Sequence, residues 1–281
     1  MSAMKFVFFG YDFMMDSVER LAADGHELIG IFSFECDNIF NFNTRTQNYA
    51  VQNGIPISLE KPTAKDIAFF TANGAGCFLS AGYPYKIPPI DKAKACGINF
   101  HPSLLPKGRG IMPTPYIIMQ APEASGITVH KLTEKFDQGD ILYQEELPLS
   151  LREDVETLSA RIALRGPDIL SMVLKDLPTF WKEATPQNEK EALHFPPPTE
   201  EMRVLDWSKT VSDIDKTGRA FGRYGSLARF DGLTWAVFDY SVWKQKHKLE
   251  PGTVALRPGR HVVIAAQDGF VYLKEFQELV A

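Results

Sequence analysis

Asn99, His101 and Asp137 are the side chains of this sequence whose types and spacing suit chemistry. Asn99 and His101 stand two apart in Asn99-Phe100-His101-Pro102-Ser103-Leu104-Leu105-Pro106, so on an extended strand both project to one face. Pro102 then fixes the backbone as the chain leaves the sheet. An amide donor beside an imidazole suits the oxygen charge that develops in acyl transfer. Further along, Gly126-Ile127-Thr128 leads to Asp137-Gln138-Gly139-Asp140-Ile141, where Gly139 lets the backbone turn tightly beside a ligand. An ordinary turn aspartate fits the spacing of Asp137 equally well, and periodicity does not show that it meets His101. If the two meet, the carboxylate raises the histidine's pKa and can accept the proton lost by an attacking amine. Ser103 lacks the Gly-x-Ser-x-Gly elbow of a nucleophile and reads as a loop-shaping or substrate-contacting hydroxyl. His26, His194, His247 and His261 read as structural.

The elements that position these groups follow a β-α-β rhythm. Lys5 to Phe9 form an apolar run ended by Gly10, Met14 to Ala23 carry Val18, Leu21 and Ala22 on one helical face, and Glu27 to Phe34 form a second run. Gln47 to Gln52 and Ala64 to Thr71 read as helices; Ile55 to Leu59, Gly76 to Ser80 and Gly97 to Phe100 read as strands. This alternation predicts an α/β fold, a Rossmann-like, mostly parallel sheet covered by helices, with the polar trio at its carboxyl edge. Ile141 to Leu151 suggests a hairpin or strand pair, and Asp154 to Leu177 a helix that Gly166-Pro167 divides in two. Pro196-Pro197-Pro198 marks a stiff connector. We therefore assign residues 1–195 to a catalytic domain, 196–203 to a proline-rich linker and 204–281 to a small OB-like β-barrel of short strands.

Composition narrows the function. With 281 residues, 44% of them hydrophobic, the chain can bury a substantial core, and its net charge of −5 offers no global attraction for a phosphate backbone. The first turn, Phe9-Gly10-Tyr11-Asp12-Phe13-Met14, lacks Gly-x-Gly-x-x-Gly, which argues against a dinucleotide, and there is no P-loop. Cys36, Cys77 and Cys96 show no paired spacing and read as buried thiols, with no metal site expected. The opening residues contain no run long enough for a signal peptide or a membrane span, so cytoplasmic residence and no membrane partner are expected.

Asn99 to Gly110, followed by Gly126-Ile127-Thr128-Val129-His130 and Asp137 to Leu142, resembles the signature of the 10-formyltetrahydrofolate-dependent formyltransferases. This family includes glycinamide ribonucleotide transformylase, methionyl-tRNA formyltransferase and the nucleotide-sugar N-formyltransferases. Gly82-Tyr83-Pro84-Tyr85-Lys86-Ile87-Pro88 is similar to the segment lining its folate pocket, and Leu205-Asp206-Trp207 with Arg219-Ala220-Phe221 to the start of its C-terminal domain. The resemblance implies that N10-formyltetrahydrofolate is the formyl donor and that Asn99, His101 and Asp137 are catalytic. Asn99 and a protonated His101 would stabilise the oxyanion, with Asp137 supporting His101. It further implies donor contacts from Tyr83, Tyr85, Lys86, Ile87, Pro88, Leu104, Leu105, Thr133, Lys135 and Asp137. Acceptor contacts would come from Phe9, Tyr11, Asp12, Ser103, Lys107, Arg109 and Gly110.

The tRNA enzymes of the family carry a long basic loop after the second strand. Here the matching stretch, Ser33 to Arg45, is short and has one base against two acids. Residues 201–281 hold twelve Lys/Arg against ten Asp/Glu, a balance of +2 that is weak for RNA. In length, in this compact loop and in its Leu-Pro-Lys-x-Arg-Gly wording, the chain resembles the sugar N-formyltransferases, although Pro115 departs from their Arg-Gly-x-x-Pro pattern. A nucleotide-linked aminosugar is the expected acceptor and tRNA is disfavoured. Whether two copies form a homodimer is left open by the sequence.

Overall fold

The computed structural model describes residues 3–38 and 41–279, apart from the side chains of Arg223 and Tyr224. Ile39 and Phe40 of the Ser33 to Arg45 stretch thus lie outside the described residues. In chain order the main elements of the first half are β1 (Lys5–Gly10), α1 (Met15–Ala23), β2 (Glu27–Phe32), α2 (Thr44–Gln52), β3 (Ile57–Ser58), α3 (Ala64–Ala72), β4 (Ala75–Ala81) and β5 (Cys96–His101). There follow α4 (Pro113–Met119), β6 (Gly126–Lys131), β7 (Ile141–Glu146), α5 (Val155–Lys175), α6 (Leu177–Glu183) and α7 (Val211–Gly225). The chain ends in β8 (Leu227–Phe230), β9 (Leu233–Lys244), β10 (Val254–Leu256), β11 (Val262–Ala265) and β12 (Gly269–Glu278).

Two compact units divide the chain. Met1–Pro113, Glu123–Pro148 and Ser159–Pro196 form the first; Thr114–Pro122, Leu149–Leu158 and Pro197–Ala281 form the second. The first unit holds a seven-stranded sheet in the order β3-β2-β1-β4-β5-β6-β7. Phe6 to Phe9 are fully buried, as a central parallel strand covered on both faces requires, and β1 pairs in parallel with β2 and β4. The neighbour order reverses between β1 and β4, the kind of crevice where open α/β sheets bind ligands. Beyond β5 the sheet turns antiparallel through β6 and β7. The second unit holds a five-stranded antiparallel sheet, β10-β11-β12-β9-β8, around Trp207, Ile214, Phe230, Val237, Ile264 and Leu273. In place of a closed barrel, its outer strands β10 and β8 are not neighbours.

Three expectations need correction. α5 runs unbroken through Gly166 and Pro167, because its buried stripe of Ile162, Ile169, Leu170 and Val173 continues past the proline. That packing outweighs the roughly 3 kcal/mol an internal proline costs. The hairpin or strand pair expected within 141–151 is instead one strand, β7, paired with β6. Of the cysteines only Cys77 is buried; Cys36 and Cys96 are half-exposed.

Candidate active site

Register explains why the polar groups meet. β5 pairs antiparallel with β6 so that Asn99 lies opposite His130 and His101 opposite Thr128. Directly opposed residues on such a pair share a face, which places Asn99, His101, Thr128 and His130 together. Ile98 and Phe100 take the other face and are buried. The loop from β6 to β7 then folds back, its path set by the Lys131 N–H donating to the Asp140 carbonyl at 2.9 Å. This return carries Asp137 to the histidines: its Oδ1 stands 3.5 Å from His101 Nδ1 and 3.7 Å from His130 Nε2. Asp137 adopts φ +55°, a left-handed conformation that costs a non-glycine residue about 1–2 kcal/mol. Its Oδ2 accepts the Gly110 N–H at 2.9 Å.

The hydrogen bonds define which nitrogen does what. His101 Nε2 lies 2.8 Å from the Gly108 carbonyl, which can only accept, so the proton sits on Nε2 and Nδ1 faces Asp137. His130 Nδ1 donates in the same way to the Lys131 carbonyl at 2.9 Å. His130 Nε2 is then the acceptor for the Asn99 amide N–H at 3.1 Å. This orders the carboxamide: one N–H is used by His130, and the second meets no acceptor among the described residues. His130 is the participant that sequence reasoning passed over. Its signal was present, since Thr128 and His130 alternate on a strand that precedes the Asp137 turn.

Burial sets the charge state of His101. The ring is 4% exposed, and loss of solvent pushes its pKa below the ordinary histidine value, outweighing the upward pull of Asp137. The expectation of a histidine raised by its carboxylate is thus corrected: the partner is there, but desolvation of the ring is the larger effect. Burial would raise the pKa of Asp137, yet the charge that His101 and His130 carry when protonated, together with the Gly110 N–H, holds it well below the usual carboxylate range.

The loop after His101 is built on Thr128. Its hydroxyl donates to the Ser103 carbonyl at 2.6 Å and accepts the Leu105 N–H at 3.0 Å and the Gln144 amide at 2.9 Å. Ser103 is fully buried and its hydroxyl donates to the Lys107 carbonyl at 2.8 Å, so it shapes the loop. Other expected contact residues are also committed to structure. Phe9, expected on the acceptor side, is fully buried and stacked on Phe32 at 5.0 Å between ring centres. Asp12 accepts from the Thr46 N–H at 2.8 Å and the Arg45 N–H at 3.1 Å, which caps α2. Arg109 is 4% exposed, and its guanidinium is taken up by Gln187 and Glu189. Tyr11 is half-buried between Phe13 and Phe34, and burial with Cys36 and Asp37 nearby pushes its hydroxyl up to about 12. Lys107 and Gly110 are half-buried beside the trio's loop.

The residues expected on the donor side form an apolar flank. Tyr83 is buried against Phe9 and Tyr85, Tyr85 is half-buried under the Lys61 ammonium, and Ile87, Pro88 and Leu104 are half-exposed, with Lys86 open to solvent. Leu105 is buried, while Thr133 and Lys135 are exposed on the return loop. A Cβ at Gly97 would meet both Ile90 and Leu132, so both segments lie against the same stretch of β5. A half-exposed apolar strip beside polar backbone is chemically suited to a flat heteroaromatic ring.

A doubly wound sheet with a half-buried amide, two buried imidazoles and a buried carboxylate gathered at its edge defines an α/β protein equipped for group transfer. The formyl transferase family model matches residues 79–174, and the formyl transferase C-terminal domain model matches 198–279. The chain belongs to the folate-dependent formyltransferase family. It is 31% identical over 189 residues to a methionyl-tRNA formyltransferase of Enterococcus faecalis, an alignment that covers 67% of this chain and 60% of that relative. HypX from Aquifex aeolicus, solved in complex with tetrahydrofolic acid, shares the fold with a TM-score of 0.67 and 19% identity, over 99% of this chain and 45% of HypX. An N-formyltransferase from Helicobacter canadensis, in complex with folinic acid and dTDP-3-aminofucose, matches with a TM-score of 0.69 and 16% identity over 99% of this chain and 100% of its own. Among the described residues no helix is long and apolar enough to cross a membrane.

Proposed function

We propose that this chain transfers a formyl group from N10-formyltetrahydrofolate to the primary amine of a small acceptor, the amino group of a nucleotide-linked amino-deoxysugar. The observation that carries the reaction is the convergence of Asn99, His101 and Asp137 at 3.5 Å between the His101 and Asp137 side chains, with Asn99 oriented by His130. The acceptor amine attacks the formyl carbon, the bond from that carbon to N10 breaks, and the proton lost by the amine ends on N10. The free Asn99 N–H donates to the formyl oxygen as charge develops there. His101 Nδ1, unprotonated and next to the Asp137 carboxylate, accepts the amine proton, and the ionised carboxylate then stabilises the imidazolium. Tyr85 to Pro88, Leu104 and the 133–137 backbone would hold the donor's ring. Lys107 and Tyr11 are the acceptor-side groups that remain available.

Two observations support a small acceptor. Arg45, the one base of the Ser33 to Arg45 stretch and part of the first turn of α2, is bonded to Asp16 at 2.6 Å and to Glu19 at 2.9 Å. That engagement leaves it little force on a phosphate backbone. The Helicobacter canadensis structure holds an amino-sugar nucleotide on the same fold. A second reading, formylation of initiator methionyl-tRNA, is favoured by the Enterococcus faecalis relative. Turnover of N10-formyltetrahydrofolate with each class of amine tests the assignment. Activity with aminosugar nucleotides is expected, and activity with charged tRNA alone would overturn the acceptor.

A further inference from the structure

The return loop that carries Asp137 is not held by its own turn alone. Gln187, on the segment between α6 and the end of the first unit, places its Nε2 at 2.8 Å from the Asp137 carbonyl and 2.8 Å from the Gly139 carbonyl. Both donor hydrogens of that amide are therefore used on the catalytic turn. Its Oε1 accepts from Arg109 Nε at 3.1 Å and Nη2 at 2.7 Å. The same guanidinium makes a two-pronged pair with Glu189, at 2.9 Å from Nη1 and 2.7 Å from Nη2. Arg109 is itself pinned to this segment, its N–H donating to the Leu193 carbonyl at 2.9 Å and its carbonyl accepting the Phe195 N–H at 2.8 Å. The next residue, Gly110, supplies the N–H that Asp137 Oδ2 accepts. A ring is closed: Asp137 backbone, Gln187, Arg109, Gly110, Asp137 side chain.

We propose that Gln187, locked by Arg109, is a positioning residue that sets the left-handed Asp137 turn and thereby aims its carboxylate at His101. The inference rests on the formyl-transfer reading for its kinetic consequence, though the positioning itself does not. Several features make the ring specific. A planar guanidinium fixes which end of the Gln187 amide faces Asp137, because only Oε1 can accept from Arg109. Asp137 sits at φ +55°, which the turn does not favour unaided, so an external clamp on its carbonyl has something to hold. A Cβ at Gly139 or Gly110 would meet the backbone of Lys131 or Phe195, so the chain on both sides of the ring has no slack. Arg109, expected to touch substrate, would act on the reaction through Gln187 instead.

The test uses Gln187→Leu, which removes all four polar contacts, and Gln187→Glu, which keeps the shape but turns an acceptor toward two carbonyls. Asp137 is faced by His101 from β5, His130 from β6 and the Gly110 N–H, so a displaced carboxylate registers first on the His101 ring. Nitrogen-detected titration of the His101 ring in the full-length chain needs no substrate. In Gln187→Leu the ring pKa should fall below that of the wild-type chain, because Asp137 no longer pulls it up; Gln187→Glu, which brings a carboxylate of its own, is read by kcat. In turnover, kcat should drop by about a hundredfold, the scale of a misplacement near 1 Å, while KM for donor and acceptor changes little. A merely structural glutamine would lower thermal stability and leave the His101 titration and the kcat of the folded enzyme as they were; that result overturns the inference. If the wild-type chain formylates none of the amines, the functional reading fails, and the His101 titration still decides the positioning role.

Discussion

His101 is caught between two oxygen acceptors, the Gly108 carbonyl and the Asp137 carboxylate, yet a neutral ring has one proton to give. Burial resolves the competition in favour of the neutral ring, with the Nε2–H on Gly108 and a lone pair left toward Asp137. The free chain's ring should titrate below about 6.5, the ordinary histidine value, and Asp137→Asn should lower it further by removing the charge that favours the imidazolium. A titration above that value would contradict the neutral ring. The linkage has a definite sign: a folded-state pKa below the unfolded one means acid destabilises, with stability lost as pH falls from the unfolded value through the folded one. In turnover, His101→Ala and Asp137→Ala should each lower kcat by about a hundredfold or more, the scale of removing a positioned acid–base group. Near-wild-type rates in both would sink the mechanism.

At the level of elements, the site is a product of strand pairing and of one buried hydroxyl. β6 delivers His130 opposite Asn99 and Thr128 opposite His101, and Thr128 holds the post-His101 loop through three hydrogen bonds. We predict that Thr128→Val, which fits the space, leaves the Leu105 N–H and the Ser103 carbonyl unpaired and costs about 1–3 kcal/mol each at most. Urea denaturation should show a lower midpoint at unchanged slope; an unchanged midpoint would show that the loop is held by other means. Gly139→Ala acts on the other element, the return loop, because its Cβ would meet the Lys131 carbonyl, a backbone atom with little freedom to yield. Its expected signature is lost turnover in a folded chain, checked by pairing kinetics with circular dichroism.

For the whole molecule, the question is which amine reaches this edge of the sheet. The net charge of −5 and the engagement of Arg45 by Asp16 and Glu19 both weaken the pull on a polyanion. We predict that kcat/KM for the acceptor varies weakly with salt. Between 50 and 200 mM salt, a protein that makes several phosphate contacts to a nucleic acid would lose orders of magnitude in affinity. A steep salt dependence together with activity on charged tRNA would reassign the acceptor.

By itself the sequence determined the mostly parallel α/β sheet, the small β-rich C-terminal unit and the polar residues of the trio, because apolar runs, helical spacing and a dense motif are local properties. It also carried the family resemblance through residues contiguous in the chain, from Asn99 to Gly110 and from Gly126 to Leu142. Only the tertiary structure decided that Asp137 meets His101, that His130 orients Asn99, and that Phe9, Asp12, Ser103 and Arg109 serve the scaffold. The reason is physical. Register between β5 and β6, the burial that neutralises His101, and the bond from Gln187 to Asp137 all join groups far apart in the chain. None of them leaves a period or a spacing to read.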